Sequence, residues 1–166
     1  MDFLKNIFGK GRPSIALLID GPNTIRKAFN IDLNAVKKDI SKYGDIRVAK
    51  IYLDQYASDK LIEAMVNQGF EVIITTGDVD VTMAIEAMEY VLDPKINIIA
   101  LMTRDTDYRP VLVKARYHAK KTMIVATDVA FSAALKNTAD ILIILNEKGN
   151  IEHFSNGSEK KTEKNL

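Results

Sequence analysis

The sequence predicts an α/β protein, a three-layer α/β/α sandwich on a mainly parallel sheet, and three observations carry that prediction. Apolar runs of strand length alternate with segments of helical period along the chain. Most of the strand-like runs are unbroken Ile, Val and Leu, the pattern of strands covered on both faces. Helix stops fall between the two kinds of segment, so each helix has room to cross from one strand to the next parallel one.

The elements follow in order. Strands are expected at Ile15–Ile19, Ile46–Leu53, Glu71–Thr75, Ile96–Met102, Thr122–Ala126 and Ile141–Leu145, and helices near 31–42, 57–68, 80–92, 107–119 and 129–137. Gly44 and Gly69 suit helix C-termini. Asp93-Pro94 closes the third helix, because the residue before proline avoids helical geometry. Pro110 fits the first turn of the fourth helix if Asp107 is its N-cap. In the third helix Val81, Ala84, Ile85, Met88 and Leu92 form the expected inward face. Asp80 lies at the edge of that face, and Glu86 lies nearly opposite it, toward solvent.

A length of 166 residues suits one domain with a real core. We expect that domain over 14–146, between an amphipathic segment at 1–13 and a polar, disordered tail at 147–166. Phe3, Leu4, Ile7 and Phe8 share helical spacing, which suits docking on the domain, pairing of two copies as a homodimer, or contact with a membrane surface, the first two being the commoner outcomes. The absence of cysteine excludes disulfides, thiolate catalysis and cysteine-ligated metal. A net charge of +1 gives no global field, so a nucleic-acid surface has to be local. No apolar stretch reaches the ~20 residues that span a bilayer, and the N-terminus is not a signal peptide. A cytoplasmic location is the expectation.

Acidic residues at strand ends carry the chemistry. Asp20 closes the first strand and precedes Gly21-Pro22-Asn23; Asp105 and Asp107 follow the fourth strand; Asp80 opens the third helix. In a parallel sheet these positions gather at one edge, where open α/β folds bind ligands. Two carboxylates ~4 Å apart repel by about 4 kcal/mol at an effective dielectric near 20. A divalent cation removes that cost, which points to metal-dependent chemistry on phosphodiesters. Each acid also has a structural reading: Asp20 as a turn residue, Asp107 as a helix cap, Asp80 as a first-turn acid. Asp105 has no such duty in the sequence. We expect Asp20 and Asp105 as direct ligands, with Asp80 and Asp107 acting through water. Asn23 is placed to bond either the Asp20 carboxylate or the substrate. Positive charge to frame the pocket is expected from Arg104 and Arg109, with Arg26 and Lys27 close by, and base stacking from Tyr108.

The ordered set Ile19-Asp20-Gly21-Pro22-Asn23, Val79-Asp80-Val81 and Thr103-Arg104-Asp105-Thr106-Asp107-Tyr108 resembles the NYN domain (LabA-like) proteins, relatives of the PIN-domain nucleases. Phe131 to Leu135 and Ala139-Asp140 fit the family's C-terminal stretch, so the likeness runs over residues 14–145. It implies a PIN-like fold and an Asp20, Asp80, Asp105 and Asp107 pocket that binds Mg²⁺ or Mn²⁺ and cleaves RNA, supported by Asn23. The usual motif has Gly where Arg104 stands and Phe where Tyr108 stands. Two rival readings use the same residues: an RNA-binding or regulatory module that does not cut, and a phosphatase or nucleotidase.

Overall fold

The computed structural model describes residues 11–25, 31–127, 133–145, 151–155 and 158–161. The described elements are β1 (Ser14–Asp20), α1 (Gly21–Thr24), α2 (Leu33–Ile40), β2 (Asp45–Asp54), α3 (Asp59–Asn67), β3 (Glu71–Thr75) and α4 (Val79–Leu92). They continue as β4 (Ile98–Met102), a 3-10 turn (Thr106–Tyr108), α5 (Arg109–Tyr117), β5 (Lys121–Thr127), α6 (Ala133–Thr138), β6 (Ile141–Leu145), β7 (Ile151–Ser155) and β8 (Ser158–Lys161). Strand order is β3-β2-β1-β4-β5-β6-β7-β8, with β1 to β6 parallel. The expected sandwich is the one that forms.

Alternation along β1 sorts the core into its two layers. Ala16 and Leu18 pack with Met83 and Ala87 of α4 and Leu112 and Ala115 of α5. Ile15, Leu17 and Ile19 pack on the other side with Leu33, Val36 and Ile40 of α2 and Met65 of α3. Every residue of β4 is buried. From β1 the chain steps outward through β2 to β3, then returns across β1 to build β4, β5 and β6 on the far side. The strand order therefore reverses between β1 and β4, and the crevice beyond their C-terminal ends is where such sheets take ligands.

Two glycines are required by the backbone. Gly69 ends the turn after α3 at φ +82°, the left-handed C-cap that sequence predicts. Gly21 follows Asp20, and a Cβ there would meet the Tyr52 carbonyl and the Leu53 side chain on β2. This close approach lets α1 fold back immediately after β1. Gly21→Ala should lose about 2–3 kcal/mol in urea unfolding, since the neighbour is backbone and cannot turn aside.

Several expectations need correction. Helix α4 is rolled relative to its expected face: Val79, Met83, Ala87 and Val91 are buried, while Val81, Ile85 and Leu92 are exposed. With apolar residues on both sides, periodicity could not choose between them. Glu86 decides the roll. It is not a solvent-facing glutamate, because Lys50 Nζ and Tyr52 OH both donate to its Oε2, at 3.0 and 2.6 Å. Those two donors hold its carboxyl below the usual range against the opposing push of burial.

The helix expected at 107–119 divides into the 3-10 turn and α5, with Tyr108 at the α5 N-cap position and Pro110 in its first turn. From 147 onward the sequence suggested only a polar tail, yet β7 pairs antiparallel with β6, and β8 with β7. The unpaired backbone edge of β6 supplies the reason, since a hairpin satisfies it. The amphipathic segment at 1–8, together with Arg26, Lys27, Asp128 and Phe131, lies outside the described residues.

Candidate functional site

Three chain segments meet at the reversal point. Asp20 ends β1 with its side chain fully buried and caps α1. Its Oδ1 accepts the Asn23 backbone N–H at 3.3 Å, and its Oδ2 accepts Asn23 Nδ2 at 2.8 Å. The Thr103 hydroxyl, from the end of β4, donates to the same Oδ2 at 3.2 Å. A buried carboxylate needs such donors, since an unpaired charge there is very costly. Asn23 is thus committed to the carboxylate.

Thr103 has a second task. Its Oγ1 accepts the Asp105 backbone N–H at 3.0 Å, so one hydroxyl ties Asp105 to Asp20 across neighbouring strands. Asp105 then caps the 3-10 turn, its Oδ1 accepting the Asp107 N–H at 2.9 Å. The capping duty expected of Asp107 belongs to Asp105. Asp107 itself is exposed.

Asp80 enters from the first turn of α4. Tyr108 is 1% exposed, and its OH donates to Asp80 Oδ1 at 3.2 Å. Tyr108 therefore cannot offer a ring face to a base. It is a positioning group, the missing expectation being that a tyrosine in a phenylalanine position uses its extra hydroxyl inward. The Asp80 carboxyl is pushed up to about 6, first by burial, then by a hydrogen-bonding contact with Asp105 and the charges of Asp20 and Asp105, with Tyr108 opposing. Burial and the same three carboxylates push the Tyr108 phenol upward.

The structure therefore brings Asp20 and Asp105 near enough for their charges to act on Asp80. Asp107 borders them, lining a cavity of about 280 Å³ with Asp78, Asp80, Val81, Ala84 and Tyr108. Arg104 is half-buried and its Nε has no hydrogen-bond partner among the described residues. Arg109 is exposed at the start of α5.

All the donors at this site are oxygens, which suit Mg²⁺ or Mn²⁺ over softer ions. Among the described residues no group of three His, Asp or Glu side chains is placed to hold a metal ion, so there is no ready-made protein cage. Mg²⁺ does not ask for one, since it keeps several waters and is commonly held by one or two carboxylates and substrate phosphate. Burial raises Asp80 most, and the charges of Asp20 and Asp105 add to it; a hydrated cation would relieve that second contribution. The donor set fits an open site of that kind.

Sequence reasoning missed Thr103 as the link between strands, and it missed the Lys50–Glu86–Tyr52 cluster beneath the site. Tyr52 pairs in register with Asp20, and Lys50 sits two residues earlier on the same face of β2. A Lys-x-Tyr spacing, which puts both side chains on one face of β2, was the available signal.

Fold and site together define an α/β domain with an acidic crevice at its strand ends. The NYN domain matches residues 14–146, and the chain belongs to that family of nuclease-like domains. It is 49% identical over 152 residues to an uncharacterized protein of Methanocaldococcus jannaschii. That match covers 92% of this chain and 63% of the relative, so the chain spans less than two thirds of the archaeal protein's length. Its fold is similar to the crystal structure of a protein of unknown function from Vibrio parahaemolyticus, with TM-score 0.73 and 20% identity, over 82% of this chain and 95% of that one.

Proposed function

We propose that this protein is a Mg²⁺- or Mn²⁺-dependent ribonuclease that hydrolyses RNA phosphodiesters at Asp20, Asp80 and Asp105, with Asp107 at the rim. One observation carries the reading: Asp80 of α4 lies close enough to Asp20 of β1 and Asp105 of the β4 loop that burial first, and then those two carboxylates, raise it to about 6. Structural caps alone do not require that crowding. Asp20 and Asp105 would hold the cation, which when bound supplies positive charge to the scissile phosphate. Asn23 and Thr103 fix the Asp20 oxygens, and Thr103 sets Asp105 against them. Asp80, with a proton affinity close to neutrality, suits taking a proton from the attacking water. Arg104 and Arg109 supply cationic contacts to phosphate on the same edge. The protein would act in the cytoplasm.

The test is cleavage of labelled single-stranded and hairpin RNA with Mn²⁺, Mg²⁺ or EDTA. Cutting that needs the metal supports the reading; intact RNA after long incubation sinks it. An RNA-binding module without cleavage gains from the absence, among the described residues, of any three His, Asp or Glu side chains placed to hold a metal ion. It predicts metal-independent retention of uncut RNA in a gel-shift assay.

With Tyr108 buried, the stacking role falls to Tyr56. It is 83% exposed just past the C-terminal end of β2, beside the strand that carries Asp20. Its N–H bonds Asp54 Oδ1 at 2.9 Å, which fixes the turn presenting the ring. Stacking one base is worth ~1–3 kcal/mol, so Tyr56→Ala should weaken RNA binding about tenfold with unchanged melting. Equal titration curves for variant and wild type would remove Tyr56 from the interface.

A further inference from the structure

Helix α4 is apolar on two sides, and the described residues cover only one. Val81, Ile85 and Leu92 are 56%, 61% and 61% exposed, and at 100° per residue they form one outward stripe. On α5, which packs beside α4, Val113 and Tyr117 are 45% and 82% exposed. These five are most of the large apolar side chains that the described residues leave exposed. A helix that is apolar all round normally has protein on both sides. At these exposures the five offer about 500 Å², already more than half of the ~800 Å² per partner of a standard interface.

Charge selects the occupant. Glu86 turns toward Lys50 and Tyr52 on β2, so Glu89, next on that side, borders the α4 stripe with negative charge. Lys114 and Arg116 flank Val113 and Tyr117 with positive charge, Arg116 reaching the Thr138 carbonyl of α6. The patch thus carries one negative charge on α4, Glu89, and two positive charges on α5, Lys114 and Arg116. A two-fold axis running parallel to the helices lays α4 of one copy on α5 of the other, and each acidic half meets a basic half. An isologous contact needs a surface complementary to itself in this way. We propose that the α4–α5 face is a homodimer interface between two copies of this chain. Val81 is shared with the lining of the crevice cavity, and the test below reads assembly alone, so its outcome is distinguishable from that of the nuclease reading.

Sedimentation velocity of the full chain at about 1–100 µM tests it, a range set by the micromolar constants of modest interfaces. The wild type should sediment as a dimer, and Ile85→Glu as a monomer with a dimer constant at least ~100-fold weaker. Because Ile85 is exposed, its variant should melt as the isolated domain does. Glu89→Lys and Lys114→Glu should each weaken the dimer about tenfold, and the two together should restore most of it. A wild type that stays monomeric at the highest concentration overturns the proposal. So does a dimer that survives Ile85→Glu, which would place the contact elsewhere, the 1–10 segment included. Loss of dimer in both charge variants without rescue in the pair overturns the α4-on-α5 arrangement.

Discussion

On the proposed ribonuclease reading, Asp105→Asn should lower metal-dependent RNA cleavage at least a hundredfold while melting within about 2 °C of wild type. The small stability effect follows from how Asp105 is used: it accepts the Asp107 N–H, and an asparagine Oδ1 accepts the same bond, Asn and Asp being near-equal caps. The large activity effect follows from losing one formal charge where the cation and the phosphate are to be held, a contribution of several kcal/mol. Cleavage rates with saturating Mn²⁺, beside a thermal melt in EDTA, measure both. Unchanged cleavage would return Asp105 to a purely structural cap. Asp20→Asn is the poorer probe. Asp20 accepts three hydrogen bonds, from Asn23 N, Asn23 Nδ2 and Thr103 Oγ1, and an amide presents its own donor to one of those donors. That variant should lose about 1–3 kcal/mol of stability along with activity.

The sequence was legible where one physical demand dominated. Buried strands such as β4 and β6 read as unbroken apolar runs because both faces are covered, and Asp20 and Asp105 stood out because a strand end is a poor place for an unneeded charge. Legibility failed where two demands competed. In α4 the two apolar sides are equivalent to any periodicity argument, and the choice rests on Glu86 finding Lys50 and Tyr52, residues more than thirty positions away. Tyr108 failed for a related reason: exposure of an aromatic depends on whether a distant acceptor, here Asp80, lies within reach of its hydroxyl. The β7–β8 hairpin was missed because edge strands draw on backbone pairing, which leaves little trace in composition. Thr103 lies between these cases. Its position beside the acids was visible, but its bridging of Asp20 to Asp105 depends on β1 and β4 being neighbours, which the strand order alone decides.

Asp80→Asn should stabilise the metal-free protein at pH 8 and leave it unchanged at pH 4. The Asp80 carboxyl sits at about 6 in the folded protein against 3.8 ordinarily, so folding favours its protonated form. The resulting stabilisation is complete below about pH 4, fades as pH rises through 6, and is absent above it, where the ionised group is a net cost. A two-unit shift corresponds to about 3 kcal/mol; because Asp80 is partly exposed, solvent screening reduces this to about 1–2 kcal/mol, or ~3–6 °C in melting temperature. Asparagine keeps the acceptor for Tyr108 OH and removes the charge that Asp20 and Asp105 oppose. Melts in EDTA between pH 4 and 8 should therefore converge at the acid end and separate with rising pH. Adding Mn²⁺ at pH 8 reverses the order. A cation that binds only the folded state stabilises it in proportion to its affinity, so the wild type should gain several degrees and the variant much less. Parallel curves at every pH, with equal metal responses, would mean that Asp80 neither feels the other carboxylates nor shares a cation with them, and the crevice would lose its claim to be a metal site.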